Sequence, residues 1–241
     1  MKRLAVVLLG GLAGQAGAQI PDRFENLKVL RSDIARDSLL SIMRGFSFAL
    51  GVRCVYCHVG EDNPTLQGVD FKSDERAPKR SAREMLRMVA EVNTRLQGLP
   101  PRESPLEVRC VTCHRGVPRP IPLEDSLYRV VASSGGAAAL AAYDSLRAAY
   151  YGGAAFDFGS MPLVRLSERL YAEKRHEEAV PLLRRNAEHS PRSWNTYWEL
   201  GRHLEALNRP ADAVAAYRAV LERFPNHPRA TARLRALAPP F

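Results

Sequence analysis

The chain has 241 residues, 46% of them hydrophobic and 25% charged, with 16 glycines and 17 prolines. That is a globular composition, long enough for one large domain or two modest ones. A formal charge of +9 raises nucleic acid as a partner. The arginines are spread over both halves, however, and no basic tract exceeds Lys79-Arg80 or Arg184-Arg185, so no nucleic-acid partner is expected.

Lys2 and Arg3 precede an apolar run from Leu4 to Leu12, and Ala16-Gly17-Ala18 follows as a small-residue cleavage site. Residues 1–18 therefore read as a signal peptide cleaved near Ala18, which leaves Gln19 first and a charge of about +7. A run of about ten apolar residues cannot cross a hydrocarbon core of about 30 Å. No cysteine stands near the cleavage point to take a lipid. The expectation is an exported, periplasmic protein without a transmembrane segment.

Ser32-Asp33 reads as a helix start, and Leu39, Ile42, Met43, Phe46 and Leu50 follow at helical spacing. Gly51 is placed to end that helix. Directly after it comes Cys54-Val55-Tyr56-Cys57-His58. A second helix is predicted from about Pro78 to Leu96, with an apolar stripe of Met85, Met88/Val89, Val92 and Leu96. A proline-rich stretch (Pro100, Pro101, Pro105) leads to Cys110-Val111-Thr112-Cys113-His114.

The chain has four cysteines, and all of them lie in these two motifs. Disulfides are one reading in an oxidising compartment, and a four-cysteine zinc site is another. Neither gives a reason for a histidine after both pairs. Covalent haem attachment does: two thiols three residues apart each form a thioether to one vinyl group, and the following imidazole ligates the iron. The expected cofactors are two covalently bound haem c groups, held by Cys54, Cys57, Cys110 and Cys113, with His58 and His114 as proximal iron ligands. A sixth iron position is filled by Met or His in electron carriers and left open in many enzymes. The remaining histidines, His176, His189, His203 and His227, lie more than sixty residues beyond the last motif, whereas Met43, Met85 and Met88 lie within the haem region. Methionine on an apolar stripe is ordinarily core filling, but here two irons lack distal ligands.

The region from about Asp33 to Pro120 resembles the cytochrome subunit family of bacterial photosynthetic reaction centres. The likeness is carried by Met43…Phe46…Leu50-Gly51-Val52-x-Cys54-x-Tyr56-Cys57-His58, by Ala82-Arg83-x-Met85-x-x-Met88…Val92-Asn93, and by Cys110-Val111-Thr112-Cys113-His114-Arg115-Gly116. The resemblance implies a helix with the axial methionine ahead of each C-x-x-C-H segment. It makes Met43 the distal ligand of the first haem and Met85 that of the second, with Met88 the alternative, and it places Arg115 near a propionate. The family usually carries four haems, often with a lipid anchor; this chain has two motifs, so the resemblance bears on the haem-binding unit more than on a photosynthetic role.

Val117-Pro118-Arg119-Pro120-Ile121-Pro122 cannot continue a helix and marks a domain boundary. Beyond it the chain matches itself at a period of 34 residues: Ala179 with Ala213, Pro191 with Pro225, Leu183 with Tyr217, Ser167 with Gly201. Trp194…Tyr197…Leu200-Gly201…Leu204…Ala213…Tyr217…Val220…Pro225 looks like a tetratricopeptide repeat. Segments 137–150 and 229–237 are expected to cap the stack, which serves either as a partner-binding groove or as a stabilising appendage.

The expected architecture is all-α: signal peptide (1–18), dihaem cytochrome c domain (19–122), linker and helical lead-in (123–159), and repeats with a capping helix (160–241). The expected function is one-electron transfer, with a redox protein or membrane electron-transfer complex as partner, while the repeats are open either to a further protein partner or to a purely stabilising role. The alternative is a dihaem peroxidase or haem redox sensor with an open iron.

Overall fold

The computed structural model describes residues 23–100 and 106–237. The expected signal peptide, Pro101 and Pro105 lie outside them. The described residues are all-α and divide into two compact units, one up to Pro118 and one from Arg119 onward.

In the first unit, α1 (Arg36–Leu50) is followed by a 3-10 turn (Cys54–Tyr56), then α2 (Ala77–Gln97) and the single-turn α3 (Cys110–His114). The start expected at Ser32-Asp33 is not used. Asp33 instead pairs with Arg31 through Nε–Oδ1 and Nη2–Oδ2 contacts of 2.9 and 2.6 Å, and α1 begins after Ala35 without a side-chain cap. Its end falls at Gly51, in the left-handed region at φ 65°. The Gly51 N–H donates to Phe48 O, and the Val52 N–H donates to Ser47 O at 3.0 Å, a Schellman closure that sets the chain's direction into the first motif. Pro78 sits in the first turn of α2, where its missing N–H costs nothing. The half-buried face of α2 carries Ala82, Leu86, Val89, Asn93 and Leu96, while Met85 and Met88 are exposed. Of the described hydrophobic side chains in this unit, only Leu39, Ala49 and Val117 are fully buried.

The second unit contains α4 (Leu123–Tyr150), α5 (Met161–Ala172), α6 (His176–His189), α7 (Trp194–Ala206), α8 (Pro210–Arg223) and α9 (Pro228–Leu237). From α5 onward each helix packs on the next. The structure repeats with the period read from the sequence. Lys174 and Asn208, 34 residues apart, both adopt positive φ (60° and 54°), and Arg175 N→Leu170 O and Arg209 N→Leu204 O are equivalent 2.9 Å bonds. The segment expected as linker and lead-in is helical from Leu123, with a break at Gly135 (φ 82°). Leu123, Leu127, Val131, Ala139 and Tyr143 belong to the same apolar core as the repeats. Gly136 lets α4 approach α6, because a Cβ there would stand 2.8 Å from the Glu178 Cα.

Candidate functional site

The first motif leaves Gly51 as extended chain at Arg53 and turns at Cys54, where Cys57 N and His58 N both donate to Cys54 O at 3.2 and 3.0 Å. This turn, α1, α2 and the segment before α1 enclose a cavity of about 670 Å³ lined by Met43, Cys54, Cys57 and His58. Leu39, Leu40, Phe46 and Leu50 of α1, Leu86 of α2, and Leu27, Val69 and Phe71 supply its apolar wall. The loop carrying Phe71 is pinned by Asp70 N donating to Val59 O at 2.7 Å. The Phe71 ring packs edge-on against His58, with centroids 5.1 Å apart.

Burial, seconded by Lys79, pushes the His58 imidazole down to about 4, so the ring is neutral near pH 7, the form that ligates a metal. Its Nδ1 is buried without a hydrogen-bond partner. The nearby Phe71 carbonyl accepts from Lys79 Nζ at 2.8 Å. All four cysteines are unpaired thiols, and among the described residues no three His, Cys, Asp or Glu gather closely enough to hold an ion. Two free thiols, a neutral imidazole and the Met43 thioether line one largely apolar cavity and fit a covalently bound haem.

The second motif is built differently. Asn93 on α2 clamps the chain ahead of it, with Nδ2 donating to Val108 O at 2.9 Å and Oδ1 accepting from Val108 N at 2.7 Å. His114 Nδ1 stands 3.0 Å from Val117 O. A carbonyl accepts only from a protonated nitrogen, so this bond puts the proton on Nδ1 and leaves Nε2 with a free lone pair for iron. Arg115 caps α3 at φ 51°, and its Nε donates to Thr112 O at 3.2 Å. Met85 and Met88 are 42% and 48% exposed, and neither lines the first cavity.

The two motifs are yoked. Gly116, two residues past His114, donates its N–H to Ala49 O at 2.8 Å. A Cβ on Gly51 would stand 2.2 Å from Gly116 O. Sequence reasoning did not single out Asn26, Asp74 and Lys79 as site residues; the available signal was the i, i+4 pair Lys79 and Arg83 on the face of α2 that carries Leu86.

Residues 12–151 match the family described as photosynthetic reaction centre cytochrome C subunit. The chain belongs to that family. Membership gives a c-type cytochrome with covalently bound haem c, and it extends the likeness past Pro120 into α4. Residues 170–237 match a tetratricopeptide repeat family, a module of protein interaction. Cytochrome c-554 of Chloroflexus aurantiacus is 35% identical over 109 residues, 45% of this chain. The match spans only 24% of that relative's length. Two MamA structures, from AMB-1 and MSR-1, are 19% and 17% identical, cover 66% of this chain and 76% and 80% of their own, and superpose with TM-scores of 0.34 and 0.32. Among the described residues no helix is long and apolar enough to cross a membrane.

Proposed function

We propose that the protein is an exported, periplasmic dihaem c-type cytochrome that moves single electrons to and from a redox protein or membrane complex, with its repeats holding a protein partner. The observation that carries this reading is the convergence of Met43, Cys54, Cys57 and His58 on one apolar cavity. Haem c supplies the Fe(II)/Fe(III) couple, and His/Met ligation favours a high potential. The chain's own residues keep that couple in one geometry. His58 is held in its neutral state by burial, and His114 is turned by Val117 O. Met43 serves as distal ligand at the first haem and Met85 at the second, with Met88 the alternative for the latter and Arg115 at a propionate.

Haem staining and iron quantification on the purified periplasmic protein test the reading, with two covalent haems per chain expected. One haem, or zinc, would overturn it. Carbon monoxide added to the reduced protein should leave the spectrum unchanged, because a methionine-ligated six-coordinate iron resists the gas. A bound-gas spectrum would favour the peroxidase or sensor alternative.

A further inference from the structure

One wall of the first cavity carries more positive charge than its carboxylates answer. Asp74, just ahead of α2, accepts from Lys28 Nζ at 2.7 Å, Asn26 Nδ2 at 2.8 Å and Arg83 Nη1 at 2.8 Å, with Lys79 Nζ at 3.5 Å. Three cations thus share one carboxylate. Of the carboxylates that line the cavity here, Asp70 accepts from the N–H groups of Lys72 and Ser73, and Glu25 pairs with Lys72 Nζ at 3.4 Å. The Lys79 and Arg83 side chains are only 12% and 13% exposed, and both line the cavity beside His58. Buried cations without matching anions are costly. Lys79 has its donors placed on Phe71 O, Ser73 O and Asp74. Arg83 uses one N–H on Asp74 and one on Asn26 O at 2.9 Å, and a guanidinium has five. With both Asp74 and Asp70 counted against Lys28, Lys79 and Arg83, a surplus of one positive charge and a donor in reserve face a cavity whose fitting ligand carries two carboxylates.

We propose that the Asp74 cluster is the propionate end of the first haem site, with Arg83 as the propionate partner, and that its charge balance sets that haem's reduction potential. This rests on reading Cys54, Cys57 and His58 as a haem site. Electron affinity at an iron rises with nearby positive charge and falls with negative charge, so the cluster's members act in opposite senses. The same contacts tie residues 26–28 to α2 and so close the cavity on that side.

The test is a redox titration of the full holoprotein, with haem content measured in every variant. Arg83→Gln should lower one of the two midpoints by about tenfold in electron affinity, 59 mV for one electron, and Asp74→Asn should raise the same midpoint. Arg83→Lys should restore most of the loss. The haem propionate bands in resonance Raman should shift in Arg83→Gln and stay in place in Arg31→Gln, whose side chain is exposed, paired with Asp33 and absent from the cavity lining. If Arg83→Gln fails to retain haem, Lys28→Gln, on a side chain 55% exposed, should still lower that midpoint by a smaller factor. Shifts of the same sign, or none, in variants that keep two haems would overturn the proposal. A wild-type chain without haem at Cys54 and Cys57 would overturn the underlying reading instead.

Discussion

Met43, Met85 and Met88 share a residue type and differ in surroundings. Met43 faces a cavity with both thiols and the imidazole of its motif, whereas Met85 and Met88 stand three apart on the exposed side of α2. Replacing Met43 with Leu conserves volume, so it should cost under about 1.5 kcal/mol in packing. It should abolish the sulfur-to-iron charge-transfer band of one haem. Met85→Leu should do the same for the other haem, and Met88→Leu should do neither. If the last two behave in reverse, the register carried over from the family is wrong by one helical turn. Tautomers also matter at this scale. His203 Nε2 stands 3.1 Å from Ser167 O, and its Nδ1 stands 3.1 Å from His176 Nδ1. The carbonyl requires a proton on His203 Nε2, so His176 is the donor between the two rings. Protonating His203 would set N–H against N–H. Burial holds His203 down to about 4 from its ordinary 6.5, so the unfolded chain takes up the proton first. The repeats should be fully stable above about pH 6.5 and lose on the order of 3 kcal/mol as pH falls towards 4. Denaturant titrations of the wild type at pH 7 and pH 5 check this, and His203→Gln should flatten the difference.

At the scale of elements, a close backbone approach ties the two motifs together. Gly51 ends α1 at positive φ, and its missing side chain admits Gly116 O, which follows the second motif. Gly51→Ala adds a left-handed penalty of about 1–2 kcal/mol and displaces the Gly116–Ala49 hydrogen bond, worth about 1 kcal/mol. We expect a loss of about 2–3 kcal/mol, confined to the cytochrome unit and read as an earlier first transition in chemical denaturation. The role of Gly51 as a helix stop was legible in the sequence, because it stands between a helical stripe and the first C-x-x-C-H. Its contact with Gly116 was not, since 65 residues separate the two positions and no local pattern records a backbone approach. The same divide runs through the site. Cysteine and histidine spacing announces attachment chemistry, but Asp74 and Asn26 show their roles only when the loop after Phe71 and the segment before α1 meet α2. The 34-residue repeat was readable because the same turn is built twice, at Lys174 and Asn208. Residues 137–150 were expected to cap the stack, whereas the first half of α4, ahead of Gly135, was not, and Gly136 serves as a close-packing point against Glu178.

The two units differ in what makes their cores. The buried cluster of the second unit runs from Leu123 to Ala230 and is made of the chain's own side chains. The first unit buries few hydrophobic residues and leaves α2 without a fully buried one. Its apolar side chains line a cavity instead, so the cofactor takes the place of a core. A chain with all four cysteines replaced by alanine should therefore keep the repeat unit folded and lose ordered structure in the first unit. Protease protection limited to a fragment beginning near Arg119 would show it. The converse cut is the sharper measurement. The proposed haem ligands all lie at or before His114, and the prolines from Pro118 to Pro122 interrupt the helices between the units. A chain ending after Pro122 should bind both haems with midpoints close to those of the full protein, since no ligand or charged partner assigned to either haem is removed. Spectral ratio and haem stain give the count, and redox titration gives the midpoints. Loss of either haem from a truncated chain that still folds would show that residues beyond Pro122 complete a haem site.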